Sequence, residues 1–100
     1  FKKATPQKAA VRWESNGALG YDVFHNNIIT FEGNFTALYG ILINNNTSNL
    51  IQIKNNTILA VREARITTGI KITGSDHVVK GNITNAVTKI EDQGIRTIID

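Results

Sequence analysis

Few side chains in this sequence have the chemical types found at catalytic sites. Asp76 and His77 are adjacent, and Asp22 lies three residues before the other histidine of the chain, His25. A carboxylate and an imidazole can serve as general acid and base when both reach the reacting group. For His77 three placements stay open: an outward-facing turn position, which is favoured, a buried and hydrogen-bonded position, and a functional one. The candidate catalytic residues are therefore Asp22, Asp76 and His77.

Three further side chains are candidates for binding a ligand. Arg62 and Arg65 lie in the longest interval between repeats, residues 62–68. Guanidinium groups bind carboxylates through paired hydrogen bonds, so the two arginines would suit an acidic sugar. A solvated loop in which an arginine pairs with Glu63 is the alternative. Trp13, the only tryptophan, is predicted to form an apolar lid over the end of the core or a platform for a sugar ring.

Composition and spacing exclude several classes of site. The chain has no cysteine, neither histidine has a partner at metal-ligand spacing, and no acidic cluster resembles a calcium loop. We therefore expect no metal and no cofactor. The net charge of +3 is dispersed along the chain without interleaved aromatic residues, which argues against nucleic acid as a partner. No apolar run approaches the roughly 20 residues that cross a bilayer, so membrane insertion is not expected.

The composition favours strands joined by sharp corners. Fifteen residues are isoleucine and eleven are threonine, and β-branched side chains suit a pleated, half-buried surface. Twelve asparagines and eight glycines supply the residue types that tolerate a left-handed backbone at tight turns. Alternating segments such as Ile70-Lys71-Ile72 place one face inward and the polar residue outward.

Two interleaved series of residues indicate a repeat. Glycines 40, 69 and 94 each precede an alternating apolar segment, and asparagines 34, 56 and 82 each follow one. Within each series the members recur at an imperfect interval of roughly 20–30 residues, and a period of this size indicates a solenoid whose units bury their apolar faces against each other. An antiparallel sandwich is the alternative, but it gives no reason for similar corners to recur in a fixed order.

The sequence predicts an all-β, parallel β-helix solenoid of about three to four rungs with three strands per rung. Residues 1–19 are predicted to be a short N-terminal capping segment or partial rung, and residues 20–100 the rungs. The alignment on the asparagine corners also predicts that Glu32, Lys54 and Lys80 occupy one equivalent surface position. The predicted inward set is Ile29, Phe31, Ile41, Ile43, Ile51, Ile53, Ile70, Ile72 and Val79.

The stretch 69–84, GIKITGSDHVVKGNIT, resembles a rung of the right-handed parallel β-helix proteins of the pectate-lyase-like superfamily. The similarity covers roughly residues 20–100. It implies a right-handed, three-sheet helix in which Asn34, Asn56 and Asn82 form structural corners rather than catalytic groups. The superfamily includes polysaccharide lyases, glycoside hydrolases and bacteriophage tailspikes, so the resemblance specifies the fold more closely than the function.

The resemblance implies a segment of an extracellular or virion-surface protein that binds or cleaves a polysaccharide, most like a tailspike. Catalysis is left uncertain; a catalytic parent would be a polysaccharide lyase or a glycoside hydrolase. The alternative is a structural β-helix stem of a trimeric fibre. Because the chain begins at Phe1 and the last rung stops unclosed at Asp100, we expect an excised piece of a longer protein. Its exposed end would be covered by the rest of that chain or by a homotrimer.

Overall fold

The computed structural model describes residues 9–13, 23–43 and 51–100, and every helix or strand assigned within them is a β-strand. Asp22 lies outside these residues, as does the side chain of Trp13. The strands, in chain order, are β1 (Ala9–Trp13), β2 (Val23–His25), β3 (Ile28–Glu32), β4 (Thr36–Ile43), β5 (Gln52–Lys54), β6 (Thr57–Val61), β7 (Arg65–Ile72), β8 (Val78–Lys80), β9 (Ile83–Thr84), β10 (Thr88–Asp92) and β11 (Ile98–Ile99).

These strands form three sheets that the chain visits in a fixed order. Sheet 1 has the order β1-β4-β7-β10, sheet 2 the order β11-β8-β5-β2, and sheet 3 the order β3-β6-β9. Each pair of neighbours is parallel and joins a strand to the one three later along the chain. This stacking is consistent with a β-solenoid and confirms the predicted all-β, parallel arrangement of the described strands. It excludes the antiparallel sandwich for them.

The core consists mainly of aliphatic side chains, many of which stack on their equivalents in the next rung. Ile41 pairs with Ile70, and Ile70 pairs in turn with Ile90. All nine residues of the predicted inward set are buried, and eight of them have no exposed surface. Each fully buried aliphatic side chain of this size stabilises the fold by about 1.5–3 kcal/mol relative to an exposed one.

The repeat shortens along the chain, by more than the spacing of the glycines indicated. Phe24 pairs with Ile53 and Ile53 with Val79, and the second of these offsets is shorter than the first. The offset from Ile70 to Ile90 is shorter again. Asn85 contributes to this shortening. Its side chain accepts a hydrogen bond from Ala60 N and donates one to Ala60 O, both at 2.8 Å. These two bonds take the place of the backbone bonds that a longer β9 would make to β6.

The prediction that Gly40, Gly69 and Gly94 are equivalent is therefore wrong for Gly94. Gly94 lies beside Gly74, since Ile95 N donates to Gly74 O at 2.8 Å. Gly40 and Gly69 do lie at the same register, inside β4 and β7. A Cβ at Gly40 would come within 2.5 Å of Ile58 Cγ2. The close approach of two strands in the core therefore requires glycine there.

Candidate functional site

His77 is a buried residue, so the favoured outward placement is wrong. Its pairing position is that of Ile51, because Val78 pairs with Gln52, and its side chain has no exposed surface. Ile51 N donates to His77 Nδ1 at 3.1 Å, and Nε2 lies 2.7 Å from Thr73 O. Both ring nitrogens are thus satisfied, which allows burial of the imidazole. Burial lowers the pKa of His77 more than the nearby Thr73 carbonyl raises it.

Asp76 forms an ion pair with Arg96 on the next rung. Arg96 Nε lies 2.7 Å from Oδ1, and Nη2 lies 3.0 Å from Oδ2. The Arg96 guanidinium holds the pKa of Asp76 below its usual range. Because the His77 ring bonds Ile51 and Thr73 instead, the two adjacent residues are not joined as an acid–base pair. The structure places Asp76 at a left-handed corner, with φ of 61°.

The guanidinium groups of Arg62 and Arg65 are bound by neighbouring residues of the chain. Arg62 forms an ion pair with Glu32 of the preceding rung, not with Glu63. Arg65 Nη1 donates to Ala64 O at 2.9 Å and to Arg62 O at 3.4 Å. The segment predicted as a loop is mostly strand, because β7 begins at Arg65 and pairs there with Thr36. Both arginines therefore stabilise the turn before β7.

The stacked asparagines are Asn27, Asn56 and Asn82, so the predicted first member, Asn34, is wrong. Asn56 Oδ1 accepts Asn27 N and Nδ2 at 3.0 and 2.9 Å. Asn82 Oδ1 accepts Asn56 N and Nδ2 at 3.0 and 2.9 Å. Asn34 is exposed in the next corner of the same rung, between β3 and β4. The spacing from Asn27 to Asn56 equals that from Gly40 to Gly69, which was the sequence signal for the correct alignment.

Correcting this alignment changes the outward residues that lie together. Glu32 pairs with Val61, so it is not equivalent to Lys54 and Lys80. The residue beside Lys54 is His25, and Lys54 in turn pairs with Lys80. A predicted row of one negative and two positive side chains is instead made of a histidine and two lysines. We call His25, Lys54 and Lys80 the basic row.

The basic row lies on the outer face of sheet 2. The residues immediately before its members, Phe24, Ile53 and Val79, contact or belong to the core, so the alternation turns the row outward. Neighbouring strands of a sheet lie about 4.8 Å apart, which sets the spacing between members. His25 and Lys80 are exposed, and Lys54 is half-buried. Asp100 follows Ile99, the pairing partner of Val79, at the end of the row.

Three cationic side chains of the described residues are ion-paired, whereas the members of the basic row, Arg65 and Lys89 are not. The ion pairs within the described ranges are Arg62–Glu32, Lys71–Glu91 and Arg96–Asp76, and none involves a member of the row. Like charges held on adjacent strands destabilise the pairing slightly. Two adjacent lysines that form no ion pair among the described residues are suited to an anionic ligand.

A second polar cluster lies on sheet 1. Lys71 Nζ lies 5.4 Å from the centroid of the Tyr39 ring, 3.5 Å from its hydroxyl oxygen and 3.5 Å from Glu91 Oε2. The Tyr39 hydroxyl and, to a lesser extent, Glu91 raise the pKa of Lys71. Lysine and glutamate neutralise each other here. We therefore regard the basic row, not this cluster, as the candidate site.

The two carboxylates at the end of β10 have structural partners. Glu91 pairs with Lys71, and Asp92 Oδ1 accepts Gly94 N at 2.8 Å and Thr97 Oγ1 at 2.9 Å. No group of three metal-ligating side chains occurs among the described residues.

Comparisons with protein-family models, with curated proteins and with solved structures found no match for this chain. Within the described ranges, no helix is long and apolar enough to span a bilayer.

Proposed function

We propose that this chain is a β-helix segment of an extracellular or virion-surface protein that binds an acidic polysaccharide along the basic row. The helix is right-handed in this proposal and related to the pectate-lyase-like superfamily, as the stretch 69–84 suggests. The observation that carries the proposal is the in-register stacking of His25, Lys54 and Lys80 on sheet 2, where none of them forms an ion pair with another described residue.

A repeating surface suits a repeating polymer. The basic row offers lysines on two adjacent rungs, about 4.8 Å apart, and the His25 imidazole on the rung before them. A linear acidic glycan carries one carboxylate per acidic sugar ring. Nucleic-acid sites add aromatic side chains on which bases stack, and the row contains none. The chemistry of the row therefore favours an acidic glycan over a nucleic acid.

Binding is proposed without catalysis by the described residues. A glycosidase needs two carboxylates about 5–10 Å apart on one groove, one of them able to give up a proton to the leaving group. The Asp76 carboxylate is instead paired with Arg96, which lowers its pKa. In this proposal the segment binds the polysaccharide and does not cleave it.

Replacing both lysines of the row, K54Q/K80Q, should weaken binding of polygalacturonate about tenfold, because each exposed charge contact contributes about 0.7 kcal/mol. K54R/K80R should bind like the unchanged chain, since it keeps both charges. Lys89→Gln is the matched control: it removes an exposed lysine from β10 and should change affinity less than twofold. Isothermal titration at two salt concentrations measures all four proteins. Equal affinity for K54Q/K80Q and K89Q would contradict the proposed site.

A structural fibre stem is the second candidate function. It is favoured by large apolar side chains on the outer surface: Ile28, Ile83 and Val87 are 80%, 63% and 84% exposed. Exposed apolar groups of this size suit side-by-side packing of helices. Screening the parent protein against bacterial capsules and plant uronans separates the two functions. Silence against all of them would favour the stem.

Assembly through the open rung is part of the same proposal. Ile99 pairs with the core residue Val79 yet is 46% exposed, and Ile98 is 55% exposed. Unpaired strand edges and an uncovered core end promote association. Sedimentation of the full chain should show a concentration-dependent oligomer, with a homotrimer as the expected species. A folded monomer that persists at all concentrations would contradict this.

A further inference from the structure

Thr73 and His77 bind the end of β4 and the start of β5 from the next rung. Ile43 is the last residue of β4, and Ile51 immediately precedes β5. Both residues are buried, and each makes a hydrogen bond to the segment 73–77, which lies between β7 and β8. His77 therefore holds the residue before β5, and Thr73 holds the residue that ends β4.

The bonds form one connected network. Thr73 N and Thr73 Oγ1 donate to Ile43 O at 2.9 and 3.1 Å. His77 Nε2 lies 2.7 Å from Thr73 O, and Ile51 N donates to His77 Nδ1 at 3.1 Å. Because Nδ1 accepts, the proton of the neutral ring is on Nε2, which donates to Thr73 O.

A second proton on the ring would break this network at one end. Protonated Nδ1 becomes a donor, so it would face the N–H of Ile51 and leave a buried donor without an acceptor. The ring has no exposed surface, so its new charge would also be desolvated. The acidic groups that act on the ring are Asp76 and Asp92. Both favour the proton, but they are bound to Arg96 and to Gly94 and Thr97, respectively.

We propose that His77 is an acid-sensitive clasp: the neutral ring fastens Ile51, immediately before β5, to the next rung, and protonation of Nδ1 releases it. The device lies on the buried side of sheet 2, whose outer face carries the basic row. It concerns the opening of the fold and stands independently of the proposed ligand.

The direction of the effect follows from the two protonation states. In the opened form the histidine takes a proton below about pH 6.5, whereas in the closed form burial lowers the pKa of His77. Below pH 6.5 the opened form binds more protons, so opening becomes more favourable as pH falls. Between pH 7.5 and 5.5 the opening constant should rise about tenfold, while above pH 7.5 it should be constant.

Amide hydrogen exchange of the full chain tests the clasp, with rates corrected for the intrinsic effect of pH. The informative amides are Ile51 N and Val78 N, which donates to Ile51 O at 3.0 Å. We expect their protection to fall about tenfold between pH 7.5 and 5.5, with a smaller change at Asn56 N in the asparagine stack. In His77→Asn, where the amide oxygen replaces Nδ1 as acceptor and does not titrate, the loss should disappear. Unchanged protection in the wild type, or an equal loss at Asn56, would overturn the local clasp.

A measurement on the unchanged chain covers the case in which His77→Asn fails to fold. Imidazole ¹⁵N chemical shifts distinguish a protonated nitrogen from one that accepts a hydrogen bond. We expect His77 at pH 7.5 to carry its proton on Nε2 alone. A ring protonated on Nδ1 at that pH would overturn the proposal.

Discussion

Replacing Ile70 by alanine should lower the free energy of unfolding by about 3 kcal/mol. Ile70 is fully buried in β7 and lies between Ile41 and Ile90 on the neighbouring strands of sheet 1. The shorter side chain loses part of the free energy gained by transferring apolar atoms from water to the core. It also leaves a cavity between rungs, because the hydrogen-bonded backbone cannot move to fill the space. A domain of this size has a total stability of only about 5–15 kcal/mol, so the expected fall in melting temperature is about 15 °C. Chemical denaturation followed by circular dichroism measures it.

Ile28→Ala is the matched control, because it deletes the same atoms from a strand residue whose side chain is 80% exposed. Its effect should stay within about 0.5 kcal/mol. Similar losses for the two variants would contradict the assignment of Ile70 to a packed core between three strands.

Asn56→Ala should destabilise the fold by about 2–4 kcal/mol, because one side chain serves three chain segments. The Asn56 amide is fully buried, accepts two hydrogen bonds from Asn27, and donates to Phe24 O at 3.0 Å and Asn82 Oδ1 at 2.9 Å. Its removal leaves buried polar groups of neighbouring rungs without partners. Urea unfolding of the variant gives the change directly.

Asn34→Ala provides the contrast, since Asn34 is an exposed corner asparagine outside the asparagine stack. Its loss should change stability by no more than about 0.5 kcal/mol. A larger loss for Asn34→Ala than for Asn56→Ala would show that the stack is not built on Asn27, Asn56 and Asn82.

Alternation of side chains was sufficient to predict several strands and their inward faces, but not the part of β7 that begins at Arg65. In segments such as Ile51-Gln52-Ile53 and Ile70-Lys71-Ile72, apolar and polar residues alternate. This alternation alone indicates which side chains face the core. The composition of β-branched residues and corner residues was likewise sufficient to predict an all-β fold. These properties depend on residues within one strand, so no information about distant parts of the chain is needed.

The candidate site could not be predicted in the same way, because it depends on which residues pair between rungs. Asn27 and Asn34 both follow an apolar segment, and spacing alone placed the wrong one beside Asn56. That choice replaced His25 by Glu32 in the row with Lys54 and Lys80, and thereby put a carboxylate in the place of an imidazole. The correct pairing requires the register of whole strands, which packing of the core sets collectively.

The sequence by itself determined that strands form, which side chains of most strands face inward, and that stacking rungs must bury them. Only the tertiary structure decided the length of each rung, the partners of the acidic and basic side chains, and the burial of His77. The physical reason is range: strand alternation is a local property, whereas the offset between stacked rungs differs from one pair of strands to the next and shortens along the chain. Each offset depends on the lengths of the corners that connect the strands around the shared core.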